Sequence, residues 1–260
     1  MLCPICNTEN GHLTVICTSC GSFVQSKVEN LDLFATIWQL IESPKSAFHR
    51  IAIAQHKNYT LFLSAIMGIG LIFFLMRILK AGSGDIPLLN ILIVGFLFGP
   101  VGGIVSLLIL ALVQKTIARL LRLQTRFKNV SAVIAYAAVP IIFSVVAVLP
   151  IEILTFGKYF FSSNPSPYVI KPISYALLLM LDGLCLVWAL RLYFLGNKVL
   201  YDSGTVTTLF VSTMSIAVYA GLIWIVLWVI SNHHIGFSIE KAMVAYLQRL
   251  RAENLTQWIG

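Results

Sequence analysis

The chain has 260 residues, of which 58% are hydrophobic and only 11% charged, and its mean hydropathy is +0.90. That composition excludes an ordinary soluble domain and points to a polytopic membrane protein. A formal net charge of +8 would suggest nucleic acid in a soluble chain. Here the basic residues stand in short segments beside apolar spans, so membrane topology and anionic head groups account for them and no nucleic-acid partner is expected.

The first residues carry no basic-then-apolar signal pattern, so they are expected to be retained on the side of synthesis. Four of the five cysteines lie there, as Cys3-Pro4-Ile5-Cys6 and, ten residues on, Cys17-Thr18-Ser19-Cys20, followed by Gly21. A Cys-x-x-Cys pair on a tight turn offers two thiolates to one metal, and a second pair completes a tetrahedral site. Pro4 and Gly21 suit such turns, one by fixing φ and the other by tolerating φ above zero. Asn10-Gly11 reads as a turn, followed by strand-like residues from His12 to Ile16. The spacing predicts a minimal zinc ribbon with Cys3, Cys6, Cys17 and Cys20 as ligands of a structural Zn ion, iron being the other ion this donor set accepts. Four thiolates fill the coordination shell, so no open position remains for catalysis. Two disulfides would be the reading for a secreted chain; a cytoplasmic N-terminus argues for reduced thiols.

Leu33, Phe34, Ile37, Trp38 and Ile41 fall on one face of a helix. Ser43-Pro44 then looks like an N-cap with Pro at the first helical position. The helix it opens, to His56, places Phe48, Ile51 and Ala52 on one side. Such amphipathic helices either lie in the membrane interface or pack on the end of the bundle.

Five apolar stretches follow, at about 59–79, 88–113, 130–156, 173–195 and 206–230, each long enough to cross a ~30 Å hydrocarbon layer as a helix. Gly68 and Gly70 in the first are places where another helix can approach closely. Gly99-Pro100 followed by Gly102-Gly103 predicts a kink or break midway along the second. Between the second and third lie Lys115, Arg119, Arg122, Arg126 and Lys128, a basic turn that fixes topology. With the N-terminus cytoplasmic, the inside regions hold eleven basic residues and the outside loops before the tail hold four: Arg77, Lys80, Lys158 and Lys171. Five spans then put the C-terminus outside. The tail carries Ile239, Ala242, Met243, Tyr246, Leu247 and Leu250 at helical spacing, a second amphipathic candidate.

Asp182 interrupts the fourth span, and Glu152 follows Pro150 near the outer end of the third. An ionisable side chain at such depth is costly and faces the bundle interior or a wet cavity. The pair is a candidate intramembrane polar site: either a structural contact between helices or part of a proton or cation path. Cys185 reads as packing, and His233-His234 as an interfacial loop.

Several short elements of the membrane block resemble the Yip1 domain family. They are Glu42-Ser43-Pro44 with Ala47-Phe48 and Ile51 before the first span, Arg126-Phe127-Lys128, Ala135-Tyr136 and Val139-Pro140 opening the third, and the count of five spans. The likeness covers roughly residues 40–230. It implies a non-enzymatic helical bundle with a cytoplasmic N-terminus and, from the eukaryotic members, roles in vesicle trafficking through small GTPases and other membrane partners. The Asp-Leu-Tyr-Gly-Pro element of those members is absent; Gly99-Pro100 matches only its end, in an unlike position, which argues against GTPase partnership. The cysteines resemble the short zinc ribbons that precede many prokaryotic membrane domains, which implies a prokaryotic cell membrane.

The expected protein is thus an all-α membrane protein. Residues 1–25 form a zinc ribbon, 26–57 an amphipathic juxtamembrane linker, 58–231 a five-span Yip1-like domain and 232–260 an amphipathic tail. Its expected function is that of a membrane scaffold or adaptor. Lipids, other membrane proteins or a cytoplasmic protein would be its partners, and an oligomer is compatible with it. The alternative is a small transporter or channel-like subunit using Asp182 and Glu152.

Overall fold

The computed structural model describes residues 1–84 and 86–232. Most of the expected amphipathic tail, 233–260, including His233-His234, lies outside the described residues. The helices are α1 (Leu33–Glu42), α2 (Pro44–Ile53), α3 (Thr60–Ile78), α4 (Leu88–Leu120), α5 (Phe127–Ala137), α6 (Val139–Phe143), α7 (Leu149–Phe156), α8 (Pro167–Ile170), α9 (Pro172–Tyr201) and α10 (Thr205–Asn232). Five apolar helical stretches are long enough to cross a membrane: Thr60–Ile78, Leu88–Leu120, Val139–Phe161, Pro172–Tyr201 and Thr205–Val229. This is an all-α, multi-pass membrane protein. Met1–Ser215 forms one compact unit, and the described residues from Ile216 onward belong to a second. As far as it is described, the second unit is the remainder of α10, with Trp224 and Trp228 exposed.

The segment His12 to Ile16 forms no strand. Among the described residues there are only two isolated antiparallel bridges, Leu2 with Glu9 and Ile16 with Phe23. Each closes a cysteine turn, and a module this short holds its shape through those turns instead of a sheet.

α4 is one unbroken helix through Gly99-Pro100, so the expected break does not occur there. Its glycines serve packing instead. Gly95, Gly99 and Gly103 recur every four residues and share one face. A Cβ on Gly103 would stand 2.0 Å from the Ser64 carbonyl oxygen, and one on Gly99 would stand 2.6 Å from the Ile69 Cα. The α3 and α4 backbones touch, which only small residues allow.

The third span is the interrupted one. α5 ends at Ala137, α6 begins before Pro140, and Ser144–Val148 is a π-helical turn leading into Pro150. Proline offers no N–H to the preceding turn, and the wider turn accommodates the carbonyl left without a partner. Every residue from Val130 to Ala137 is buried, because α5 is packed by α2, α3, α4 and α9 together. Ser131, Ala132, Ala135 and Ala137 keep its circumference small enough for four neighbours.

α2 packs against this core, burying Ala47, Phe48, Ile51 and Ala52. Gly196 of α9 makes room for it: a Cβ there would meet Phe48 at 2.9 Å and Val133 at 2.7 Å. Lys57 closes α2, its Nζ donating to the Ala52 carbonyl at 2.7 Å and also to that of Ile51. α1 is capped by Asp32, whose Oδ1 accepts from the Ala35 N–H at 2.7 Å. It buries Thr36 and Leu40 and turns Phe34 (82% exposed), Trp38 (63%) and Ile41 outward.

Candidate metal centre and intramembrane polar sites

The two Cys-x-x-Cys turns are copies of one another, fourteen residues apart. In the first, the Cys3 N–H donates to the Thr8 carbonyl at 3.0 Å and the Asn7 N–H to that of Cys3. In the second, the Cys17 N–H donates to the Ser22 carbonyl at 2.8 Å and the Gly21 N–H to that of Cys17. Asn7 (φ 53°) and Gly21 (φ 71°) occupy the same left-handed position after the second cysteine of each turn, where glycine and asparagine are the residues that fit. Thr8 and Ser22 repeat as hydroxyls against sulfur, 3.2 Å from Cys6 Sγ and 3.0 Å from Cys20 Sγ.

Folding the copies together brings all four Sγ atoms within 4.8 Å of one another. Cys3 and Cys20 stand 3.7 Å apart, and Cys6 and Cys17 3.5 Å. Four sulfurs around one ion at a metal–sulfur distance near 2.3 Å would be separated by about 3.8 Å, so the set fits a tetrahedrally held metal ion. All four are free thiols. The Ser22 hydroxyl, followed by the Cys6 and Ile5 backbone amides, pulls the Cys3 thiol down to about 6, and the amides of Cys20 and Ser19 lower Cys17. When bound, the ion would tie the two turns together; the four ligands fill its shell.

Asn10, which sequence reasoning assigned only to a turn, holds the turns in register. Its side chain is buried, and its Nδ2 donates to the Thr8 carbonyl at 2.9 Å and faces Cys17 Sγ at 3.5 Å. Its Oδ1 accepts from the Thr18 N–H at 3.1 Å. His12 joins the module to the bundle: its Nε2 donates to the Val199 carbonyl at 3.0 Å and its Nδ1 stands 3.6 Å from Asp202 Oδ2.

The two intramembrane carboxyls come together. Glu152 is only 3% exposed and faces Asp182, and Arg77 lies near enough for its charge to act on Glu152. Asp182 Oδ1 accepts from the Ser144 hydroxyl at 2.5 Å, so the π-turn of the third span meets the fourth span at this carboxylate. Arg77 stacks over the Phe160 ring at 4.8 Å and donates to the Tyr175 hydroxyl.

A second buried cluster escaped the sequence reading. Gln114 Nε2 donates to Asn197 Oδ1 at 2.7 Å and to the Tyr201 hydroxyl at 3.0 Å. Gln114 Oε1 accepts from Tyr193 at 2.7 Å, and Asn197 Nδ2 donates to the Ser212 hydroxyl at 2.9 Å. These five side chains, all buried, tie α4, α9 and the start of α10. α4 and α9 run on to Leu120 and Tyr201, past the expected ends at 113 and 195, which is what places Gln114 and Asn197 inside the bundle.

No curated protein and no solved structure matches the chain. Residues 38–227, which run from α1 into α10 and contain the glycine-packed pair, the interrupted third span and both polar clusters, match the Yip1 domain. The chain belongs to the Yip1 domain family.

Proposed function

We propose that this protein is a non-enzymatic membrane scaffold whose N-terminal cysteine module, held by zinc, docks a soluble partner at the cytoplasmic face. The observation that carries this reading is the apolar surface of the module. Leu2, Ile5 (73% exposed), Ile16 and Phe23 (59%) all face outward, although the module has scarcely any core of its own. Exposed apolar side chains gathered on so small a surface mark an interaction site. The metal supports that surface and performs no chemistry, since four thiolates leave no vacant position.

The cytoplasmic orientation rests on two arguments. Thiolates persist in a reducing compartment, and Arg119, Arg122 and Arg126 cluster at the α4–α5 turn, as expected for an inside loop. With five spans the C-terminus falls outside. α1 turns Phe34, Trp38 and Ile41 outward, which suits a helix lying among head groups and acyl chains. Other membrane proteins would meet the lipid-facing bundle, and the cell membrane of a prokaryote is the expected setting. Glu152 and Asp182 act in this reading as a polar tie between the third and fourth spans.

The test is a pull-down from gently solubilised membranes, with metal content measured in parallel. Wild type is compared with Cys3→Ser/Cys6→Ser and with Ile5→Ser/Phe23→Ser. The expected result is loss of the same partner in both variants, with zinc retained by the second. A partner set unchanged in both variants would reduce the module to a folding cap and end the docking reading.

A further inference from the structure

The module, the start of α2 and the last turn of α9 enclose a cleft of about 460 Å³. His12, Lys45, Ser46, His49, Lys198 and Asp202 supply its polar groups. Its charge is lopsided. Asp202 is the one carboxylate in that lining, and it faces the His12 ring at 3.6 Å. Lys198 donates to the neutral Thr205 hydroxyl at 3.1 Å, which leaves two of its N–H groups free of that contact. Among the described residues, neither Lys45 nor Lys198 has a carboxylate partner. Ser46 Oγ accepts from Gln39 at 3.2 Å, so its own O–H remains able to donate. α2 begins at this wall with Pro44, and the Ser43 side chain does not cap it. The positive N-terminal end of α2 and the negative C-terminal end of α9 meet at this cleft, so its positive character rests on the two ammonium groups and the imidazoles.

The geometry points to a binding site for a phosphate group in this cleft, with Lys45 and Lys198 as its charged donors and Ser46 and His49 completing the hydrogen bonds. Two lysines lining one concave site suit a phosphate, which an ammonium group binds as a point charge. At about 460 Å³ the cleft has room for a phosphate together with the group that carries it, so a phosphate ester fits. The cleft sits at the C-terminal end of α9, the helix of the fourth candidate span, so in a membrane it would lie near the head groups. The phosphate can therefore belong to an anionic lipid or to a soluble phosphorylated compound, and both present the same chemistry.

Two probes separate these sources. Inorganic pyrophosphate is titrated calorimetrically into the full-length, metal-loaded protein in phosphatidylcholine nanodiscs. Retention of phosphatidylglycerol over phosphatidylcholine is read by native mass spectrometry from detergent. Wild type is compared with K45R/K198R and with K45Q/K198Q, the latter checked for unchanged melting and metal content. H49E, which sets a carboxylate in the cleft, serves if the double variant does not fold. The expected result is that at least one probe binds wild type and K45R/K198R, and binds K45Q/K198Q or H49E at least about tenfold more weakly. Pyrophosphate binding identifies a soluble ligand, and selective phosphatidylglycerol retention alone identifies a lipid. Failure of both probes on wild type, or equal binding by wild type and the charge-removing variants, overturns the proposal.

Discussion

Gly68 and Gly103 face one another across α3 and α4 so closely that a Cβ added to Gly68 would stand 2.3 Å from the Gly103 Cα. Lipid chains are as apolar as leucine, so spans associate through close packing and not through burial from water. Gly103→Ala should therefore cost about 1–3 kcal/mol, because the obstacle is backbone on the partner helix. Gly70→Ala should cost less, since the atom in its way is the Cγ2 end of the Val145 side chain. Thermal unfolding in one detergent orders the two, and the reverse order would show that the α3–α4 contact does not govern stability.

Asn10 should matter to the metal without touching it. It supports Cys17 and Thr18 together, and loss of such a supporting contact typically lowers metal affinity about 10–100-fold. Asn10→Ala should bind zinc weaker by that margin in competition with a chelator, while Asn10→Asp restores the Thr18 bonds only. If affinity in Asn10→Ala is unchanged, the turns hold their register through their own backbone bonds.

The number of spans and the four cysteines were legible because both signals are local: an uncharged run of sufficient length, and paired thiols at short spacing. The Gln114–Asn197 contact was not, since its partners are 83 residues apart in the chain and each alone resembles the polar end of a span. Ending the second span at its last apolar residue, Val113, stopped it one residue short of Gln114, yet helical backbone bonds continue across a polar boundary as readily as within the apolar layer. The prolines show the same dependence on their neighbours. Pro100 sits in an unbroken helix held against α3 by its glycine neighbours, whereas Pro140 and Pro150 bound the interruptions of the third span. The pairing of Glu152 with Asp182 could be suggested from sequence only as shared depth.

Lys57 provides a pH dependence. Burial, reinforced by Arg126 and Lys128, lowers its ammonium to about 8, against about 10.4 in an unfolded chain. Between those values the unfolded state binds more protons than the folded one, so stability should rise as pH increases from about 8 towards 10.4 and level off below 8. Lys57→Met removes the titrating group along with the α2 cap. Its overall melting temperature should fall, but the rise between pH 8 and 10 should flatten relative to wild type. A variant that keeps the full slope would assign it to another group.

Asp182 separates a structural tie from a charge path. Asp182→Asn keeps an oxygen to accept from Ser144 and cannot carry a charge at that depth. For a scaffold, the variant should fold with unchanged or slightly higher melting temperature and hold the same partners. Asp182→Leu, which removes the acceptor, should lose about 0.6 kcal/mol and at most about 1.7, the average and maximum for hydrogen bonds between spans. In liposomes carrying a pH-sensitive dye, neither wild type nor Asp182→Asn should move protons. Proton flux in wild type that disappears in Asp182→Asn would make the Glu152–Asp182 pair a conduction site and displace the scaffold as the protein's primary role.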